Sequence, residues 1–162
     1  MDQLWSPWRY RYVTKGDPPA GCIFCRMAAE DNDEKNLVLL RGRFHFAVLN
    51  LFPYTSGHLM IVPYAHTASL EGMAHEALSE MMELVQRFET VLKAFYKPQG
   101  LNIGMNLGEC AGAGIAQHVH MHVLPRWFGD SNFMTVVGET RVHIEELAES
   151  RRRIRLALGN KT

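Results

Sequence analysis

The run His118-Val119-His120-Met121-His122-Val123-Leu124, followed by Pro125-Arg126-Trp127, decides how this chain is read. Polar and apolar residues alternate with period two, the mark of a half-buried strand, and the pattern predicts a strand over Ala116 to Pro125. The three imidazoles then share one face, and Val119, Met121 and Val123 share the other. Same-face neighbours on a strand lie roughly 7 Å apart, close to the length of a phosphoanhydride link with its flanking oxygens. Protonating adjacent imidazoles costs energy through like-charge repulsion, so three in a row point to something anionic or metallic beside them. Neutral imidazole is also a good nucleophile near neutral pH, once a hydrogen bond on its other nitrogen fixes the tautomer. The run marks an enzyme.

Working outward, Leu101 to Leu107 reads as a strand, and Gly108 to Gly114 as a loop of small residues leading into the histidines. Gly112, Ala113 and Gly114 carry no bulk that would keep a phosphate from their amides, so an anion-binding nest is expected there. Asn106 offers an amide to a phosphate or bridging oxygen, and Gln117 can sit on either side of the strand. Between about Met73 and Tyr96 the period changes. Leu78, Met81, Met82, Val85, Phe88, Leu92 and Phe95 recur at helical spacing, and Pro98 and Gly100 stop the helix. Upstream, Asn36 to Leu40, Phe44 to Leu51 and His58 to Pro63 read as strands separated by turns, and a second amphipathic helix spans about Ile144 to Ala157. Strands and helices in this order give one α+β domain with a mainly antiparallel sheet. Residues 1–21, with Trp5, Trp8, Tyr10 and Tyr12, are too aromatic for a free tail and are expected to pack on the domain of residues 22–162 or across a subunit interface.

Composition narrows the function. Of 162 residues, 47% are hydrophobic and 21% charged, which is ordinary for a globular domain. Seventeen basic and seventeen acidic residues cancel, so there is no broad basic field to hold a nucleic-acid backbone. No apolar stretch reaches the length of a membrane span, and the N-terminus lacks the apolar core of a secretion signal. Three cysteines, an odd count, suit a reducing compartment better than a disulfide framework. The expectation is a cytoplasmic protein that engages neither membrane nor nucleic acid.

With H-V-H-M-H-V-L at 118–124, the chain closely resembles the histidine triad family. The likeness extends to Asn50 at the end of the second strand, Gly57-His58 opening the third, the long helix and the loop before the triad. N-L-G at 106–108, A-G at 111–112, H-V-L-P-R-W at 122–127, L-W-S-P-W-R at 4–9 and G-D-S-N-F at 129–133 are similar to the bacterial branch that handles dinucleoside polyphosphates. Pro125-Arg126 is also similar to the fragile-histidine-triad hydrolases. The resemblance implies transfer of a nucleoside monophosphate through a covalent nucleotidyl-histidine, with phosphate or water as acceptor. His120 would attack the α-phosphate, His122 would support it, and His118 would flank it. A backbone carbonyl on the histidine strand orients the nucleophile in this family. Asn50 is by resemblance the ligand of the ribose hydroxyls, and His58 is expected to hydrogen-bond into the triad. Apolar residues near Leu40, Phe44, Phe46 and Leu49 would line the base slot or simply fill the core. Trp127 is read either as a base-stacking residue or as strand-end packing, and Arg126 as meeting the distal phosphates or facing solvent.

Cys22-Ile23-Phe24-Cys25 supplies two thiols, and a closed tetrahedral zinc site needs two more ligands. His66 and His118 are the natural candidates. Several bacterial histidine triad proteins that begin with C-x-x-C carry zinc on the matching set, which implies structural zinc and no organic cofactor. His45, His75 and His143 fit neither set and read as ordinary surface or strand residues; Cys110 has no assigned role. The family implies a homodimer. Three alternatives stand beside nucleotidyl transfer from dinucleoside polyphosphates. They are nucleoside phosphoramidate hydrolysis, water activation by a catalytic zinc, and a non-catalytic nucleotide-binding module.

Overall fold

The computed structural model describes residues 21–130 and 145–159. Five strands form one fully antiparallel sheet in the order β1-β2-β3-β5-β4: β1 Val38–Arg41, β2 His45–Leu49, β3 Leu59–Pro63, β4 Gly100–Gly104 and β5 Met121–Arg126. Among the described residues three α-helices accompany it: α1 Ile23–Ala29, α2 His75–Tyr96 and α3 Leu147–Gly159. The α+β architecture is the one expected from sequence.

Strand alternation sorts the side chains onto two faces. Ala47, Leu49, Leu59, Ile61 and Val123 pack under α2 and α3 with Met81, Val85, Phe88, Leu92 and Ile154. Phe46, Val48, Met60 and Val62 face the other way, against Phe24 of α1. Every residue of β2 and β3 is buried, because helices lie on both sides of those strands. The α2 stripe follows 3.6-residue spacing through Ala77, Met81, Leu84, Val85, Phe88, Val91 and Leu92. Phe88, with no exposed surface, contributes about 1.5–3 kcal/mol by burial. Lys97 ends the helix in a left-handed conformation at φ 47° ahead of Pro98. The stripe is rotated from the one expected. Leu84 and Val91 belong to it, whereas Met82 is 55% exposed and Phe95 lies partly buried beneath the Arg153 guanidinium at 4.1 Å.

All five strands are shorter than predicted, and at β5 and β4 the difference bears on the histidines. The ladder of β5 begins only at Met121, so His118 and His120 lie just ahead of it. Pro63, which would pair next on β3, has no N–H to give. Its carbonyl accepts from the His118 ring, and the Val119 N–H turns to the carbonyl of Thr67 at 2.7 Å. On the other side, β4 stops at Gly104 opposite His122, short of the expected Leu107. The alternation survives this: Phe24 packs on the rings of His118 and His120, and Met121 and Val123 pack toward α2. Leu40 and Leu49 also pack on the α2 side, so neither lines a slot beside the histidines; Phe46 does face that side, fully buried and stacked on Tyr64. The expectations for residues 1–20, for the end of G-D-S-N-F, and for His143 and Ile144 lie outside the described residues.

Candidate functional site

Two clusters meet at His118. The first holds the catalytic candidates. His120, 5% exposed, places Nδ1 2.9 Å from the carbonyl of His118, two residues back. A carbonyl only accepts, so Nδ1 carries the proton and Nε2 the lone pair. The ring of His122 stands edge-on to that of His120, centroids 4.8 Å apart. Its own tautomer is set from the loop Asn50–His58. The Tyr54 N–H donates to His58 Nδ1 at 3.1 Å, which leaves the His58 proton on Nε2, and that N–H donates to His122 Nδ1 at 2.9 Å. His122 therefore carries its proton on Nε2, as a donor beside the His120 lone pair. Burial, with His120 nearby, pushes the His122 imidazole down to about 4. Burial likewise lowers His120, against the opposing pull of the His118 carbonyl, so both rings are neutral near pH 7.

The surrounding loops hold this pair. Gly57 sits at φ +79°, where a methyl group would come 3.0 Å from the Tyr96 ring, so glycine is what this turn into His58 accepts. Thr55 donates to the Pro125 carbonyl at 2.8 Å and pins the loop to β5. Asn50 lies with its amide nitrogen 3.4 and 3.5 Å from the two nitrogens of His58, and its side-chain oxygen accepts the Phe52 N–H at 3.0 Å. On the other flank, Asn106 donates to the Gly112 carbonyl at 3.3 Å across the glycine-rich loop, which contains one turn of 3-10 helix, Glu109–Ala111. The expected nest is partly consumed within this loop. The Gly112 N–H goes to the Glu109 carbonyl and the Ala113 N–H to the Gly108 carbonyl. Gly114 and Gln117 are exposed just before the triad.

Two expected phosphate or base contacts are engaged elsewhere. The Arg126 guanidinium is held by both carboxylate oxygens of Asp130 and by Asn102. Trp127 packs edge-on to Tyr96, centroids 6.2 Å apart, which is the strand-end packing alternative.

The second cluster is Cys22, Cys25, His66 and His118, whose ligand atoms all lie within 4.8 Å of one another. The His118 Nε2–H donates to the Pro63 carbonyl at 2.8 Å, so its Nδ1 lone pair faces the cysteines, 3.2 Å from Cys22 Sγ and 3.6 Å from Cys25 Sγ. His66 Nδ1 is 3.3 Å from both Cys25 Sγ and His118 Nδ1. Tetrahedral zinc with bonds of about 2.3 Å to sulfur and 2.0 Å to nitrogen would set neighbouring ligand atoms roughly 3.3–3.8 Å apart. Donor set and spacing both fit such an ion.

Sequence reasoning missed two contributors. Phe24 packs on His118 and His120 with centroids 5.3 and 5.1 Å away, and its signal was its place between the two cysteines. Tyr54 covers the His58 ring at 4.8 Å, and its backbone sets the tautomer of that ring. His45, read as ordinary, is fully buried on β2 with Nδ1 2.9 Å from Glu80 Oε2, on the helix side of the sheet and away from the triad.

The wider comparisons agree with this geometry. The chain is 40% identical over 159 residues to a Mycobacterium tuberculosis protein named AP-4-A phosphorylase, covering 94% of this chain and 82% of that one. A crystal structure of a Zn-bound histidine triad family protein from Mycobacterium smegmatis superposes with a TM-score of 0.70 at 28% identity, over 86% of this chain and 94% of that one. The Plasmodium falciparum diadenosine triphosphate hydrolase shares the fold at a TM-score of 0.59 and 17% identity, over 77% and 76% of the two chains. The family model of the HIT domain matches residues 32–129, and the chain belongs to that family.

Proposed function

We propose that this protein cleaves dinucleoside polyphosphates such as diadenosine tetraphosphate at the α-phosphate by nucleotidyl transfer through His120. The carrying observation is the 2.9 Å hydrogen bond from His120 Nδ1–H to the His118 carbonyl, which leaves the Nε2 lone pair for attack. Kinship at 40% identity with a protein named AP-4-A phosphorylase supports the substrate class.

In the first step His120 Nε2 forms a bond to the α-phosphorus, and the bond from phosphorus to the bridging oxygen breaks. The His122 Nε2–H hydrogen-bonds to the departing oxygen and steadies its charge, and the polyphosphate leaves as the anion. The carbonyl of His118 stabilises the positive charge that develops on the His120 ring. In the second step an oxygen of phosphate or water attacks the phosphorus, the phosphorus–nitrogen bond breaks, His120 leaves as the neutral imidazole, and any proton displaced from the acceptor passes to solvent. Asn50 would hold the ribose hydroxyls, and Asn106 and Gly114, with Gln117 at their edge, the phosphate oxygens. Cys22, Cys25, His66 and His118 would hold zinc, which ties α1 to the sheet. A homodimer belongs to the same reading: β4 is an outer strand of the sheet, with Asn102, Ile103 and Gly104 exposed. Among the described residues no helix is long and apolar enough to cross a membrane.

The test is a product assay with diadenosine tetraphosphate, with and without phosphate. ADP plus ATP means phosphorolysis and AMP plus ATP means hydrolysis. His120→Asn should abolish turnover and keep nucleotide binding. Wild-type protein that binds nucleotide and turns over neither this substrate nor adenosine phosphoramidate would make the chain a binding module. Turnover of the phosphoramidate alone would move the substrate class and keep the nucleophile.

A further inference from the structure

The four-ligand cluster and the nucleophile are joined twice, and holding an ion requires neither link. His118 is the first. Its ring turns Nδ1 to the cysteines, while its carbonyl accepts the His120 Nδ1–H. The Pro63 carbonyl grips the far edge of the ring at 2.8 Å, so His118 cannot swivel without losing one of these contacts. Phe24 is the second. At 2% exposure it is pressed on the rings of both His118 and His120. The helix carrying it has seven residues, too few to persist without support. Arg41 fastens one end, donating to the carbonyls of Met27, Ala28 and Glu30 at 3.1, 3.0 and 2.8 Å. Cys22 and Cys25 are at the other end, their sulfurs 3.2 and 3.6 Å from His118 Nδ1, where a shared ion would fasten them.

We infer that the Cys22–Cys25 knuckle with His66 and His118 is a positioning device for the nucleophile. A divalent ion held there keeps the His118 carbonyl and the Phe24 ring against the His120 imidazole, fixing its tautomer and aim. Without the ion, both supports loosen together. His118 and Phe24 are then positioning residues, and the bond-making stays on His120. The kinetic part of this inference rests on the proposed nucleotidyl transfer; the structural part does not.

The test compares full-length zinc-loaded protein, the same protein stripped by chelator, and the variants Phe24→Ala and Phe24→Leu. Nitrogen NMR of labelled histidines reads the His120 tautomer, with the signal assigned by its loss in His120→Asn. Loaded wild type should show one tautomer, protonated on Nδ1. Stripped protein and loaded Phe24→Ala should both show exchange between tautomers and a kcat lower by about 10- to 100-fold, with KM little changed. Phe24→Leu, which keeps most of the packing, should restore much of both. Phe24→Ala should add little once the metal is gone, because both perturbations act on one ring. Reloading with zinc or cadmium should restore the same kcat.

Stripped but folded protein that keeps a single tautomer and its kcat overturns the inference. So does a kcat that follows the identity of the ion, since the metal would then take part in the chemistry. If stripping unfolds the chain, Phe24→Ala in the loaded protein decides alone, and an unchanged tautomer refutes. Should no dinucleoside polyphosphate be turned over, the proposed function fails and the tautomer measurement still judges the coupling.

Discussion

Acidification forces a proton onto an imidazole that the fold keeps neutral. His122 is lowered from 6.5 to about 4 by burial and by His120 beside it. In the unfolded chain it titrates at its ordinary value, so between those limits the unfolded state binds a proton that the native state refuses. Stability is therefore complete above the unfolded value and falls as the pH drops toward the folded one. At about 1.4 kcal/mol per pH unit, the loss reaches roughly 1.4 kcal/mol near pH 5.5 and roughly 3 kcal/mol near pH 4. Geometry explains why the proton is refused. Protonating His122 places a second N–H on Nδ1, facing the His58 Nε2–H that now donates to it at 2.9 Å. The variant His122→Asn removes the titrating group, and acid loss of metal or of other carboxylates is common to both proteins and cancels in their difference. Urea unfolding of the two proteins at about pH 7, 5.5 and 4 should show the wild type losing roughly 3 kcal/mol more than the variant over the series. Parallel curves would mean that His122 is hydrated in the native state, and would refute the buried donor relay from His58.

Three further outcomes are expected. His58→Phe keeps a ring against Tyr54 and removes the donor to His122, so kcat should fall on the order of 100-fold with KM nearly unchanged in steady-state assays. Glu80→Ala deletes an acceptor that takes the N–H groups of Arg43 and Phe44 at 2.5 and 2.7 Å and the ring of His45 at 2.9 Å. Urea unfolding should show a loss of about 2–4 kcal/mol, and kcat should hold, because this strap lies on the helix side of the sheet. Gly57→Ala puts a side chain at φ +79° and 3.0 Å from Tyr96. The backbone conformation alone costs about 1–2 kcal/mol in thermal or urea unfolding, and kcat should drop as well, since the turn carries His58.

The elements were legible where one period dominates. The heptad-like recurrence of Met81, Val85, Phe88 and Leu92 led directly to α2, short apolar runs between turns led to β2 and β3, and alternation led to the sidedness of the histidines. What alternation could not show is that the strand ends before two of them. That depends on Pro63, on a strand some sixty positions upstream, lacking an N–H to continue the ladder. The cluster that could hold a metal was legible from C-x-x-C and spare histidines, because a closed tetrahedral site needs four donors. Arg126 and Trp127 stayed open between two readings for one reason. Their partners Asp130, Asn102 and Tyr96 sit at ordinary positions, and only tertiary packing brings them together.

The roles of the histidines were hidden for a deeper reason. Identical side chains with identical spacing differ here only in which backbone group touches which nitrogen. The carbonyl of His118 makes His120 a lone-pair donor at Nε2. The amide of Tyr54 acts through His58 and makes His122 a hydrogen-bond donor at Nε2. The carbonyl of Pro63 turns the His118 lone pair to the cysteines. Each assignment follows from a main-chain atom that every sequence possesses, so no substitution pattern records it. The triad is thus not three equivalent bases. On the proposed reading it supplies one nucleophile, one hydrogen-bond donor and one metal ligand, and exchanging any two histidine environments would exchange those roles without changing a residue.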